Sequence, residues 1–188
     1  MRSYNYTVEI TEELIFNMRR LTIFLAFIFA FALVATNTLA QESTFTSKSV
    51  DYEFEIPSPT WRVVTQPDGI NQHAEFIYGD RNDGYLQIRK EVVDAGMTAS
   101  DVSRSDQDQK LHFLPGYVSG KEERFSGRLN GVVYSYEFTR AGKPMTGRIY
   151  YLQADNRTVY MLRFTGERDK LARIRNQTDN IARSFHLK

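Results

Sequence analysis

The side chains best placed to do chemistry are few and scattered. Three histidines, His73, His112 and His186, lie far apart in the sequence. None has a second His two or four positions away, the spacing that sets two imidazoles on one face for a metal. Isolated histidines of this kind are expected at the surface. A serine nucleophile needs a base within reach and usually a strained G-x-S-x-G elbow. No such elbow occurs, and Ser119, within Val118-Ser119-Gly120, sits in no recognisable context. Asp80-Arg81-Asn82-Asp83-Gly84 opens like a calcium loop, which requires Gly at its sixth position and Glu at its twelfth. Counted from Asp80, the Gly comes fifth, and the twelfth residue, Glu91, falls within an expected strand. The segment therefore reads as a turn. Glu137 and Arg163 are expected on strands close enough to pair across a sheet, as a structural ion pair rather than a catalytic carboxylate. Tyr150 and Tyr151 point to opposite faces of any regular strand. One of them is then either exposed on a partner surface or, as is usual for sheet tyrosines, partly buried. The expectation is a chain with no catalytic, cofactor-binding or metal residues, and thus not an enzyme.

Composition narrows this further. The chain has 188 residues and no Cys, which removes thiol catalysis, thiolate metal sites, disulfides and lipid attachment at a cysteine together. Its net charge is +1 with both signs intermixed, whereas a nucleic-acid binder shows clustered Lys and Arg. Two N-x-T sequons, at Asn156 and Asn176, matter only in a eukaryotic secretory pathway. Chance accounts for them, since Asn176 falls within an expected helix.

The start of the chain carries an export pattern. Met18-Arg19-Arg20 is a short basic opening, and Leu21 to Ala35 is apolar except for Thr22. Thr38 and Ala40 then supply the small residues that a signal peptidase reads. Residues 18–40 are thus expected to be a cleaved signal peptide, because the run is shorter than the roughly 20 apolar residues of a spanning helix. Residues 1–17 carry Glu9, Glu12 and Glu13, which a basic leader avoids, so they read as a misassigned upstream extension with translation starting at Met18. The mature chain would begin at Gln41 and be soluble once cut, located in the periplasm or secreted. Residues 41–50 are polar and aperiodic and are expected to be a flexible lead-in. Residues 51–188 are expected to form one domain, a length able to bury a sufficient core.

The elements that would position any site are mostly strands. Tyr52, Phe54 and Ile56 alternate with acids and stop at Pro57-Ser58-Pro59. Trp61, Val63 and Val64 resume an extended piece before Pro67-Asp68-Gly69. Residues 73–78 and 85–93 flank a Gly/Asn/Asp turn and read as a hairpin, with Leu86, Ile88 and Val92 on one face. Thr98 is expected to cap a helix reaching about Phe113, with Asp101 in place of the Glu or Gln of the usual reciprocal box. Its thin apolar face is Val102, Leu111 and Phe113, and Pro115-Gly116 stops it. Residues 117–125 then lead through Leu129-Asn130-Gly131 to a strand with Val132, Tyr134, Tyr136 and Phe138 on one face. After a turn at residues 141–144, residues 148–154 and 158–164 form a further hairpin. A last helix carries the stripe Leu171, Ile174, Thr178, Ile181 and Phe185. Its opposite face, Lys170, Arg173, Arg175 and Asp179, reads as solvated.

Two stretches resemble the PsbP/Mog1-like (PsbP-related) family. Tyr52-Glu53-Phe54-Glu55-Ile56-Pro57 followed by Trp61 is similar to that family's opening pattern of alternating apolar residues, Pro and Trp. Arg148-Ile149-Tyr150-Tyr151-Leu152, then Val159-Tyr160-Met161-Leu162-Arg163-Phe164-Thr165, then Ser184-Phe185, resembles its ending. The similarity spans roughly Tyr52 to Phe185. It implies an α+β fold, an antiparallel β-sheet flanked by helices as an α/β/α sandwich. It implies no single function, since relatives include an extrinsic photosystem II subunit, a Ran-binding nuclear protein and exported bacterial proteins of unassigned role. The expected function is that of an exported, non-enzymatic domain binding an unknown protein partner in the cell envelope. A carrier of small hydrophobic ligands, using a groove between sheet and helix, is the alternative.

Overall fold

The alternating segments all become strands in the computed structural model, which describes residues 43–188. These are β1 (Ser43–Phe45), β2 (Tyr52–Ile56), β3 (Trp61–Asp68), β4 (His73–Tyr78), β5 (Gly84–Val92), β6 (Val118–Ser126), β7 (Asn130–Arg140), β8 (Lys143–Asp155), β9 (Thr158–Glu167) and β10 (His186–Leu187). The helices are α1 (Ala99–Gln109), α2 (Arg168–Arg173) and α3 (Arg175–Ser184). The main sheet has the order β3-β4-β5-β9-β8-β7-β6, antiparallel at every step. A small sheet, β1-β2-β10, packs beside it. The β7–β8 hairpin turns on Ala141 and Gly142 at φ 49° and 75°, the two-residue geometry whose twist matches that of paired strands.

Both faces of the main sheet are apolar at its centre. On the first face, Phe76, Ile88, Tyr150, Leu162 and Phe164 pack under Tyr52 and Phe54 of the small sheet and under Leu171, Ile174, Ile181 and Phe185. On the second, Tyr134, Tyr136, Ile149, Tyr151 and Met161 pack under Ala99, Val102 and Leu111. The expected sandwich holds in outline, but the structure is richer in sheet: on the first face, small sheet and helices share the covering. Tyr150 and Tyr151 do take opposite faces, yet both are fully buried, so neither is available to a partner. On the second face α1 lies mainly against β7 and β8. Beyond it, the second face of β3, β4 and β5 stays open.

Several local expectations change. Thr98 Oγ1 accepts from Asp101 N at 3.2 Å while the Asp101 carboxylate accepts from Thr98 N at 2.9 Å, so the reciprocal box forms with Asp in the acidic position. α1 ends at Gln109, and Leu111–Phe113 is a separate 3-10 turn that buries Leu111 and leaves Phe113 72% exposed. Val92 is likewise 71% exposed, since β5 outruns its cover there. The last helix breaks at Ile174, where the N–H turns to Leu171 O in a tighter i to i−3 bond. The stripe survives that break, and all five of its residues are buried. Its far side is less free than expected, because Lys170 pairs with Asp83 at 2.5 Å and Asp179 with Arg148 at 2.9 Å. The expected lead-in is also part of the fold from Ser43 onward. Two apolar anchors in its polar sequence, Phe45 and Val50, are buried, and Lys188 Nζ holds Val50 O at 2.9 Å. The sheet edges are protected against pairing by a bulge and charges in β6 and by two register shifts in β3.

Candidate binding site

Strand register builds the open face row by row. Arg62, Ile77, Tyr85 and Thr165 stand side by side across β3, β4, β5 and β9. The next row is Thr65, Glu75, Gln87 and Arg163. One step further, Arg89 lies opposite Met161. Alternation puts these side chains on the face that α1 leaves uncovered.

Two carboxylates anchor the face. Glu75, with a side chain 14% exposed, accepts from Thr65 Oγ1 at 2.8 Å and Gln87 Nε2 at 3.3 Å, with His73 Nε2 at 3.2 Å and Arg81 at 3.4 Å. Burial pushes its pKa up, but hydrogen bonds from Tyr85, Thr65 and Gln87 outweigh this and hold it below the usual range. Asp106 projects from α1 and is 3% exposed. Its Oδ2 accepts from Tyr151 OH at 2.9 Å and Arg163 Nη2 at 3.1 Å. Lys110 Nζ lies 2.8 Å from Oδ1 as an ion pair, although its geometry makes no hydrogen bond to that atom. Burial raises the Asp106 pKa, and Lys110, Arg163 and Tyr151 together bring it below the ordinary value. The cations around these acids stay accessible. Arg62 and Arg89 are exposed, and Arg81 stacks 4.5 Å over the Tyr85 ring.

A cleft of about 260 Å³ runs between α1 and the β5–β9 strands, lined by Glu91, Asp94, Met97, Val102, Asp106 and Lys110. A smaller pocket of about 40 Å³ adjoins it at Gln87, Arg89 and Arg163. The groove a hydrophobic-ligand carrier would use is present, but six of its eleven lining residues are polar and four of those are charged. Its volume is also below the roughly 300–1,000 Å³ of typical ligand pockets.

The sequence candidates do not converge here. His73 sits beside Glu75, His186 pairs with Glu53 at 2.9 Å, and His112 stacks on Phe113 with ring centroids 3.7 Å apart. Among the described residues no group of three or more His, Cys, Asp or Glu is arranged to hold a metal. Ser119 Oγ meets the Tyr134 hydroxyl at 3.0 Å. Asp80 Oδ1 accepts from the backbone of Asn82 and Asp83, which makes the segment a turn, as expected. Glu137 and Arg163 do not pair, because β8 lies between their strands and register sets them on opposite faces, Glu137 opposite Thr146 and Arg163 opposite Ile149. Glu137 binds Arg168 at 2.6 Å and Arg163 binds Asp106. The residues that sequence reasoning passed over are Asp106, Glu75, Arg62, Arg81 and Arg89. Only Asp106 carried a local signal, its i,i+4 spacing to Lys110.

Asp106→Ala is expected to cost about 2 kcal/mol, mainly by stranding the buried Tyr151 hydroxyl, since Arg163 and Lys110 can rehydrate. Asp106→Asn should cost less, as its amide oxygen still accepts from Tyr151. The folded pKa of Asp106 is depressed, so its contribution is complete above the ordinary carboxyl value of about 4 and is lost as pH falls through the folded value. Urea melts should show the deficit of Asp106→Asn at pH 7 shrinking below about pH 4.

No family model matches the sequence, and no curated protein matches it. Solved structures do. LpqN of Mycobacterium tuberculosis, described as involved in cell envelope biogenesis, superposes with a TM-score of 0.53 at 14% identity, over 80% of this chain and 87% of that one. The Saccharomyces cerevisiae Ran-binding protein Mog1p gives 0.53 at 7% identity, over 79% and 96%. Cyanobacterial PsbP from Synechocystis gives 0.50 at 14% identity, over 82% and 96%. The fold is PsbP/Mog1-like. A Bacteroides thetaiotaomicron protein also matches, with a TM-score of 0.54 at 14% identity over 79% of this chain, which spans only 49% of its length. At these identities the likeness carries the PsbP/Mog1-like fold alone, and the open face must be read from its own residues. Among the described residues no helix is long and apolar enough to cross a membrane.

Proposed function

We propose that this protein is an exported, non-enzymatic PsbP-like domain that binds a protein partner in the cell envelope through the open half of its main sheet. The observation that carries the reading is the uncovered set Arg62, Arg81, Tyr85, Arg89 and Arg163. Arg and Tyr are enriched in protein interfaces, and four of these five stand on rigid strands. Nothing in the set is poised for general acid–base work, which favours a pKa near the working pH. Glu75 and Asp106 are instead held ionised and already hydrogen-bonded. Binding is supported by the Ran-binding neighbour Mog1p, and an envelope role by LpqN together with the export pattern at residues 18–40.

The test is made in cells, with a photo-crosslinking residue at position 89 and, as control, at 173. A discrete adduct from position 89 alone is expected, on a chain whose N-terminus is Gln41 by sequencing. Equal adducts from both positions would remove the assignment to this face. A membrane-bound chain retaining Leu21 to Ala35 would show an anchor instead of a cleaved signal.

A further inference from the structure

We infer that the open face takes an acidic protein segment, laid across β3, β4, β5 and β9 with its carboxylates on the arginines. This rests on the protein-binding reading above and adds the chemistry of the partner. The face holds five cations, Arg62, Arg81, Arg89, Lys110 and Arg163, against three carboxylates, Glu75, Asp106 and, at its far end, Glu91. The local excess is thus two, whereas the entire chain carries +1. Glu75 and Asp106 are sunk into the face at 14% and 3% exposure, while the Arg81 and Lys110 side chains are 62% and 58% exposed. What a partner meets is therefore positive. Glu91 and Asp94 line the cleft on the other side of Asp106 and Lys110, which confines the positive field to the Arg62–Arg163 side.

Several of these cations are also uncommitted. Among the described residues Arg89 makes no ion pair, and the Arg62 guanidinium donates only to the Gly79 carbonyl, at 2.7 Å. Arg81 reaches Glu75 only at 3.4 Å and is held flat on Tyr85. A guanidinium fixed in this way has lost little freedom still to lose, and its fork matches a carboxylate bidentately. From β3 to β9 is three strand spacings, about 14 Å, which four or five extended residues cover. The face suits a peptide better than a nucleic acid, because single strands need free aromatic platforms. The one ring identified on the open rows, Tyr85, is capped by Arg81.

The test is fluorescence anisotropy of the purified protein with a labelled Glu-rich dodecapeptide, a Lys-rich one and an oligothymidylate. Saturable binding of the Glu-rich peptide is expected, weakening as salt shortens the screening length. The double variant R81A/R89A should weaken it at least tenfold and R173A/R175A less than twofold, with all proteins melting alike. Asp106→Asn, which removes a negative charge beneath the face, should tighten it. Equal loss in both double variants, or equal or tighter binding of the Lys-rich peptide or the oligonucleotide, would overturn the inference. So would absence of peptide binding in a protein that still crosslinks from position 89, and that result would leave the protein-binding reading standing.

Discussion

Ile181→Asp is expected to leave no cooperatively folded protein at 25 °C. Ile181 is 1% exposed, on the stripe that α3 lays on the first face among Tyr52, Phe54 and Phe185. Removing its side chain forfeits about 1.5–3 kcal/mol of burial. A carboxylate placed there without a partner adds several kcal/mol more, or must protonate at a similar cost. The sum reaches the 5–15 kcal/mol by which domains are stable at all. Far-UV circular dichroism and urea titration provide the measurement. Ile181→Val should remain folded and lose about 1 kcal/mol. Arg173→Ala, on the exposed side, should change stability by less than about 1 kcal/mol. Equal effects of Ile181→Asp and Arg173→Ala would mean that α3 does not dock through this stripe. Lys170 is a poorer control, because its pairing with Asp83 and Glu167 makes its removal more than a surface change.

That stripe was legible because helical periodicity is local, and so were the hairpins. Gly79 and Gly84 bracket one turn, and Ala141-Gly142 closes another, at the places where alternation stops. The break at Ile174 was not legible, since Leu171 and Phe185 keep their spacing on either side of it. The early strand β1 was missed because a three-residue strand has too little alternation to register. Phe45 gains its burial from Phe54 and Phe76, which only the folded chain brings near it.

The binding face was illegible for a related reason. Arg62, Arg81, Arg89 and Arg163 come from β3, the β4–β5 turn, β5 and β9, and the step from β5 to β9 skips three intervening strands. In sequence these arginines are single charges with mixed neighbours. They become a patch only once register sets Gln87 opposite both Glu75 and Arg163. The Glu137–Arg163 expectation failed on strand order and on phase: β8 lies between β7 and β9, and Glu137 shares the Tyr150 face while Arg163 shares the Tyr151 face. Tyr150 and Tyr151 point to opposite faces as expected, and because the sheet is covered on both sides, as the expected sandwich implies, neither is left exposed or even partly buried.

Gly147→Ala should be a strongly damaging single-methyl change in the main sheet. Gly147 stands on β8 between Tyr136 of β7 and Thr165 of β9. Its backbone is ordinary strand, so the glycine is required for space and not for its dihedral angles. A Cβ built there falls inside the Tyr136 ring, against Cζ, Cε1 and the hydroxyl. That ring has little room to yield. It is 2% exposed, with Tyr134 and Phe138 stacked at 6.1 and 5.7 Å and Tyr117 at 6.1 Å. Displacing it opens the layer beneath α1, at a cost of about 3 kcal/mol, the upper end for overpacking. For a domain of this size that lowers the melting temperature by roughly 10 °C. The cause can be separated from a general intolerance of β8 by a double-mutant cycle. Tyr136→Val is destabilising alone, because it empties a filled layer, but it removes the ring that the new methyl strikes. Gly147→Ala should then cost far less in the Tyr136→Val background than in the native one, a coupling of at least 1 kcal/mol. Additive losses would show that the methyl does its damage elsewhere, in the pairing of β8 with β9, and that the Tyr136 ring is free to move aside.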